Sequence, residues 1–267
     1  MFRNIFSKKN TPWIVGAAAG AGALLGGYML FRQLSSQPGS KRDGFPSGLK
    51  DPDNEKRIEL TQEEAELRFN WVSDVKYNVV ISLIKGIDKY AGATTITFKK
   101  KAGQGQMPKE LFADFRGKVL TKCELNGQPI KKFCRQRIHF ETAQLQEENT
   151  LVVEFENSFV HNGQGPHRFT DPADGEDYIW TQFESFFCHL LFPCFDQPSL
   201  KASLTMSVIA PEDWKVIVNE RPRAPAFKFC KESEEVLGQK YNIPSSIVAF
   251  TENYRGEKND HFVHRFD

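Results

Sequence analysis

The sequence predicts a mainly β protein: an antiparallel, saddle-shaped β-sandwich domain preceded by a single N-terminal transmembrane helix. Three observations carry that prediction. From Tyr77 onward, runs of β-branched and aromatic residues follow one another at strand length, with only one short helical stretch before them. Phenylalanine is abundant, 23 in 267 residues, which suits broad apolar sheet faces. Ahead of all this, Pro12 to Phe31 is a run of 20 residues without a charge.

Taken in chain order, residues 1–11 form a basic segment with Arg3, Lys8 and Lys9; the first acidic residue of the chain is Asp43. An acid-poor, basic N-terminus is similar to mitochondrial targeting segments. Residues 12–32 read as the transmembrane helix, since 20 residues at about 1.5 Å each span roughly 30 Å of hydrocarbon. Pro12 suits the first helical turn, and Trp13 and Tyr28 stand near the two interfaces. Gly16 and Gly20, and again Gly22 and Gly26, make small-xxx-small steps that let another helix approach closely. Ala17 to Ala19 offer small residues for signal cleavage, but the apolar run continues well past them. Basic residues flank both ends, with Arg32, Lys41 and Arg42 on the far side, so orientation stays open.

Residues 33–58, rich in Ser, Gly, Pro and Asp, read as a solvated linker. The β-domain is expected over residues 59–255. It opens with Thr61-Gln-Glu-Glu64, a capping box for a short helix through about Phe69, its face set loosely by Ala65, Leu67 and Phe69. Strands are expected near Tyr77–Ile84, Thr94–Phe98, Gly117–Leu125, Arg137–Phe140, Leu151–Phe155, Ala202–Ile209, Trp214–Asn219 and Ile247–Phe250. Asn126-Gly127 is a hairpin-turn signal. Residues 256–267 read as a polar tail; His261 and His264 lie within it, and no acid or Cys is placed to complete a metal site with them.

A formal net charge of +1 and the lack of a basic, aromatic-interleaved stripe argue against nucleic-acid binding. The five cysteines are odd in number and have no C-x-x-C spacing, so they read as reduced and mostly buried.

The segment from Gly165, GPHRFTDPADGEDYIWTQFESFFCHLLFPCFDQPSLKASLTMSVIAPEDWKVIVNE, resembles the N-terminal β-domain of the aminopeptidase N family of zinc metallopeptidases, bacterial-type members most closely. Upstream stretches such as ELNGQPI and NTLVVEF follow the same order, and the likeness covers roughly Leu60 to Tyr254. The resemblance implies that this domain walls an active-site cavity. It also implies that Glu184 of the TQFE run, with Gln182 beside it, helps hold a peptide's free α-amine through a charge-assisted bond. In the CFDQP turn, Asp196 is expected to tie the loop and Pro198 to fix φ before the next strand.

Two departures stand out. None of the six His residues begins H-E-x-x-H, the helical zinc pair with its general-base Glu, and G-x-M-E-N is also missing. Where the family usually has Ala-Arg ahead of F-x-CFD, this chain has Cys188-His189, and Phe186 and Phe187 make the surroundings more apolar. No catalytic, metal-binding or cofactor-binding residue is therefore expected; Gln182 and Glu184 are vestigial amine-binding candidates, and Gly16, Gly20, Gly22 and Gly26 are helix-packing candidates.

The expectation is a non-catalytic accessory subunit, single-pass, in the mitochondrial inner membrane, within an assembly such as a respiratory-chain complex. Its partners would be the membrane and other transmembrane and soluble subunits, with no small-molecule substrate. The alternatives are a module that binds peptide N-termini and one half of a split zinc aminopeptidase.

Overall fold

A computed structural model of the chain describes residues 49–52, 59–103, 105–211 and 214–218, together with the backbone of strands at 233–236, 239–242 and 248–253. The basic segment, the expected transmembrane helix with Gly16, Gly20, Gly22 and Gly26, most of the linker, and the tail with His261 and His264 lie outside the described residues. Among those described, no helix is long and apolar enough to cross a membrane.

Thr61 starts helix α1 (Gln62–Trp71) as the capping box requires. Its hydroxyl accepts the Glu64 N–H at 3.2 Å, and the Glu64 carboxylate accepts the Thr61 N–H at 3.1 Å. The same carboxylate takes a two-pronged bond from Arg137, at 2.6 and 2.8 Å, tying the helix start to the sheet beneath. The buried face differs from the expected one. Arg68 and Trp71 point inward, while Phe69 is 46% exposed and lies under the Lys101 ammonium at 4.3 Å. Polar partners in the interior, described below, decide that rotation.

The strands, in chain order, are β1 (Leu49–Lys50), β2 (Val72–Ser82), β3 (Lys89–Lys100), β4 (Glu110–Asp114), β5 (Val119–Leu125), β6 (Gln128–Pro129), β7 (Lys132–Cys134) and β8 (Arg137–Glu141). There follow β9 (Glu148–Ser158), β10 (Gly165–Thr170), β11 (Asp177–Gln182), β12 (Ala202–Ile209), β13 (Ser233–Val236), β14 (Gln239–Asn242) and β15 (Val248–Asn253). The main sheet has eight strands in the order β1-β5-β9-β3-β2-β12-β15, with β6 turned back on β5. A three-stranded sheet, β4-β8-β7, and two hairpins, β10-β11 and β13-β14, complete the set. Asn126-Gly127 makes the β5–β6 turn, both residues at positive φ (52 and 77), as a two-residue hairpin of this type demands.

The antiparallel expectation holds for every pair but one. β12 runs parallel to β2, from Ala202↔Val75 to Ile209↔Ser82, because the chain leaves the main sheet after β9 and returns beside β2 in the same direction. Both neighbours shield β2, and Val79, Val80, Ile81 and Ser82 are all buried, which explains why its alternation is weak in the sequence.

One apolar core joins the two sheets. Phe98 of β3 meets Phe140 of β8 at 6.1 Å between centroids, and Phe115, just past β4, meets Phe155 of β9 at 4.7 Å and Phe133 of β7 at 6.2 Å. The many phenylalanines thus supply the layer between the sheets.

Within the expected linker, Leu49 to Asp51 are not a solvated connector: Leu49 and Lys50 pair with Leu120 and Val119, and the buried Asp51 accepts the N–H groups of Arg135 (2.8 Å) and Gln136 (2.5 Å). Those two residues stand at φ 54 and 56, outside any ladder at their N–H groups, and the carboxylate satisfies both amides. Nor is Trp214–Asn219 a strand over its described part, 214–218. The Trp214 N–H bonds the Pro211 carbonyl at 3.1 Å, closing a turn instead.

Candidate functional site

The family-like stretch begins with β10 and β11, paired in unbroken register from Gly165↔Gln182 to Thr170↔Asp177. Gly165 has φ +60, and a Cβ there would lie 2.6 Å from Leu190 Cβ, so only glycine lets the hairpin root sit against the following loop. At its tip side, Arg168 donates to Asp177 at 2.7 Å and Thr170 donates to the same carboxylate at 2.7 Å. Burial works to raise the Asp177 carboxyl, but bonds from Thr170, the Gly86 N–H and Arg168 outweigh it and hold it below the usual range. Trp180 and Phe169 are 45% exposed, and the His167 ring lies 4.2 Å from that of Trp180.

Gln182 and Glu184 come together at the end of β11. The Gln182 side-chain oxygen accepts the Glu184 N–H at 2.8 Å, and both residues are exposed. Beyond them the chain turns, with the Phe187 N–H on the Phe183 carbonyl at 3.0 Å. Phe183, Phe186 and Phe187 are half-buried. An exposed carboxylate with an amide at its shoulder has the chemistry to accept an ammonium group.

His189 occupies the position where the resemblance expects Arg. It is buried, 4% exposed, and its Nδ1 lies 2.7 Å from Asp196 Oδ2, which also accepts the His189 N–H at 3.0 Å. The Phe186 ring packs on the imidazole at 4.5 Å. Asp196 therefore ties the loop, and the residue it ties is the substituted His189.

A network that sequence reading missed lies behind this loop. Arg68, fully buried on α1, pairs with Asp114 of β4 and donates through Nε to Gln197 at 3.0 Å. Its guanidinium also stands 4.7 Å from the centre of the Phe112 ring. Asp114 accepts the Asp196 N–H at 3.1 Å and exchanges backbone bonds with Cys194, at 2.7 and 3.0 Å. Gln197 reaches the Ala65 carbonyl at 2.7 Å, and the Phe195 N–H donates to the Tyr77 hydroxyl at 2.9 Å. On the far side, the buried Tyr90 hydroxyl lies 2.9 Å from the Leu190 and Leu191 carbonyls, and Asn157 donates to that hydroxyl and to the Arg116 and Leu190 carbonyls. The loop from Cys188 to Leu200 is thus held by α1, β2, β3, β4 and β9. An arginine in a short, mostly polar helix looks like a solvated residue until its partner, 46 positions away, is known.

Among the described residues no group of three or more His, Cys, Asp or Glu is placed to hold a metal ion. His161, whose Nε2 is 3.0 Å from Asp88 and whose Nδ1 is 2.9 Å from the Arg168 carbonyl, is held above the ordinary histidine value by those two bonds. The small stabilisation it gives is complete below the ordinary value and is lost as pH rises through the raised one.

A family model described as the peptidase M1 N-terminal domain matches residues 130–237. Aminopeptidase N of Streptomyces lividans is 33% identical over 171 residues, which is 62% of this chain and 19% of that protein. Probable aminopeptidase 1 of Saccharolobus solfataricus is 41% identical over 51 residues, 19% of this chain and 6% of its own. Among solved structures, native leukotriene A4 hydrolase from Saccharomyces cerevisiae aligns with a TM-score of 0.49 at 16% identity, over 84% of this chain and 31% of that one. The chain spans less than a fifth of the length of these two curated relatives.

Proposed function

Given that the chain carries an N-terminal domain of the aminopeptidase N family, we propose that it acts without catalysis, as a membrane-anchored accessory subunit of a larger assembly. The observation that carries this reading is where the family-like stretch directs its polar groups. Asp196 is engaged by His189, Gln197 by Arg68 and Ala65, and Cys194 by Asp114, all inside the domain. The segment that would wall a cavity works here as the knot of a self-supporting fold. The 267 residues also contain no H-E-x-x-H, so the zinc-bound water of a peptidase has no source among them. The uncharged run at 12–31, with its small-residue steps, supports an anchor that packs against other helices, and the basic N-terminus supports the mitochondrial inner membrane.

Native sizing after solubilisation in a mild detergent tests the proposal, beside an assay of aminoacyl release with zinc added. The protein is expected to migrate far above its own 30.5 kDa and to release nothing. Migration as a lone chain, or turnover that a chelator abolishes, overturns the reading.

A second reading rests on one observation, the exposed Gln182 and Glu184 side by side at the end of β11. It makes the domain a binder of free peptide N-termini. Unblocked peptides should then bind saturably and lose at least about tenfold in affinity with Glu184→Gln, the loss of one charge-assisted bond. Equal binding of acetylated and free peptides removes this reading.

A further inference from the structure

We propose that Asn162 is a self-catalysed deamidation site, with His167 as the general base that starts the reaction. Asn162 and Gly163 form an Asn-Gly pair in the loop between β9 and β10. Asn162 is exposed, and a Cβ added to Gly163, which stands at φ +81, would meet no atom within 4 Å. Water therefore reaches the pair, and nothing crowds the amide nitrogen. Two backbone bonds close the loop and set its shape. The Val160 N–H donates to the Pro166 carbonyl at 2.9 Å, and the Arg168 N–H to the Val160 carbonyl at 3.2 Å.

The groups that the reaction needs are in place. The Gly163 N–H donates to His167 Nδ1 at 2.9 Å, so an unprotonated ring nitrogen already holds the proton that must leave. Asn162 Oδ1 accepts the Gln164 N–H at 3.1 Å, a donor aimed at the oxygen on which negative charge develops. Asn162 Nδ2, the leaving group, donates to Gln164 Oε1 at 3.4 Å. The His167 ring is braced against Trp180, 4.2 Å away between centroids. His161, itself paired to Asp88, is the titratable group facing it, at 6.1 Å between rings. Burial and that neighbour hold His167 below the ordinary histidine value, which keeps it neutral and basic at neutral pH.

The chemistry follows from that placement. His167 takes the Gly163 amide proton, and the freed nitrogen pair adds to Asn162 Cγ. The carbonyl pair moves to Oδ1, then returns and expels Nδ2, which leaves as ammonia with the proton His167 carries. A five-membered succinimide remains. Water opens it at either carbonyl, giving aspartate or isoaspartate. One water enters, one ammonia leaves, and no electrons change hands. The conversion puts a new negative charge at the base of the β10–β11 hairpin.

The test keeps the full chain, in mild detergent, at neutral pH and physiological temperature in heavy-oxygen water, and follows both Asn-Gly pairs by peptide mapping. Asn126-Gly127 is the internal reference. Its side chain is locked in the β5–β6 turn, with Nδ2 on Gln144 and Asn149 and Oδ1 on the Thr150 N–H. Asn162 is expected to convert at least about tenfold faster than Asn126, to aspartate and isoaspartate carrying one heavy oxygen, and His167→Phe to remove that advantage. Phenylalanine keeps a ring against Trp180 and takes away the base. The wild-type pH profile is a second measurement. With His167 as the base, the rate levels off once the imidazole is neutral, whereas unassisted deamidation keeps rising with hydroxide. Asn162 no faster than Asn126, His167→Phe as fast as the wild type, or a rate that climbs with hydroxide throughout, overturns the proposal. If His167→Phe fails to fold, the pH profile decides alone.

Discussion

Asp114→Ala is expected to lower the stability of the domain by about 3–5 kcal/mol, measured by chemical denaturation in detergent and followed by near-UV circular dichroism. The substitution leaves the Arg68 guanidinium fully buried without its counter-charge and strips the Asp196 N–H of its acceptor. It does not follow that the pair adds much net stability. Burial pushes the Asp114 carboxyl above the usual carboxylate range, against the pull of Arg68, so desolvation outweighs attraction at this site. The sign follows: the protonated carboxyl is favoured in the fold, and this group's contribution falls as pH rises from the ordinary carboxylate value through the raised one. The double variant Arg68→Met, Asp114→Leu is accordingly expected to recover most of the loss, since two apolar side chains replace two desolvated charges. A single-variant cost below about 1 kcal/mol would show that Arg68 reaches solvent after all. What the pair supplies is location: it sets the rotation of α1 and the seat of the CFDQP loop.

Phe155→Ala is expected to cost about 3–5 kcal/mol, read from the same denaturation curves. Phe155 is fully buried in β9, opposite Gly92 of β3. A Cβ on Gly92 would stand 2.4 Å from its ring, so the ring fills the space that a side chain would otherwise take. Tyr90 of β3 and Phe115, next to Asp114 at the end of β4, meet it edge-on at 6.4 and 4.7 Å. Truncation therefore opens a cavity shared by both sheets, and the bonds of the Tyr90 hydroxyl to Leu190 and Leu191 loosen with it. Phe155→Leu, which keeps most of the volume, should cost less than half as much; equal costs would point to a site that collapses around either residue.

Much of this architecture was legible before any coordinates. The Thr61–Glu64 capping box, the Asn126-Gly127 hairpin and the strands β2, β3, β5, β8, β9, β12 and β15 were readable because each depends on neighbours a few positions away. Failures occurred where a distant partner decides. Leu49–Lys50 has linker composition, yet it forms a strand because β5 offers an edge. The parallel pairing of β12 with β2 was not legible, because periodicity marks a strand without saying which neighbour it takes. The Glu110–Asp114 strand and the β10–β11 hairpin carry too few apolar residues in step to declare themselves.

The same division runs through the candidate site. By itself the sequence determined the likeness to an aminopeptidase N-terminal domain, the adjacency of Gln182 and Glu184, and the role of Asp196 as the tie of its loop, because these lie within one contiguous and distinctive stretch. Only the tertiary structure decided that His189 is the partner Asp196 ties and that Arg68 rather than Phe69 turns inward. The physical reason is that a buried charge takes its character from the groups that replace its water, and those come from α1, β4 and the Cys188–Leu200 loop, which the sequence holds far apart.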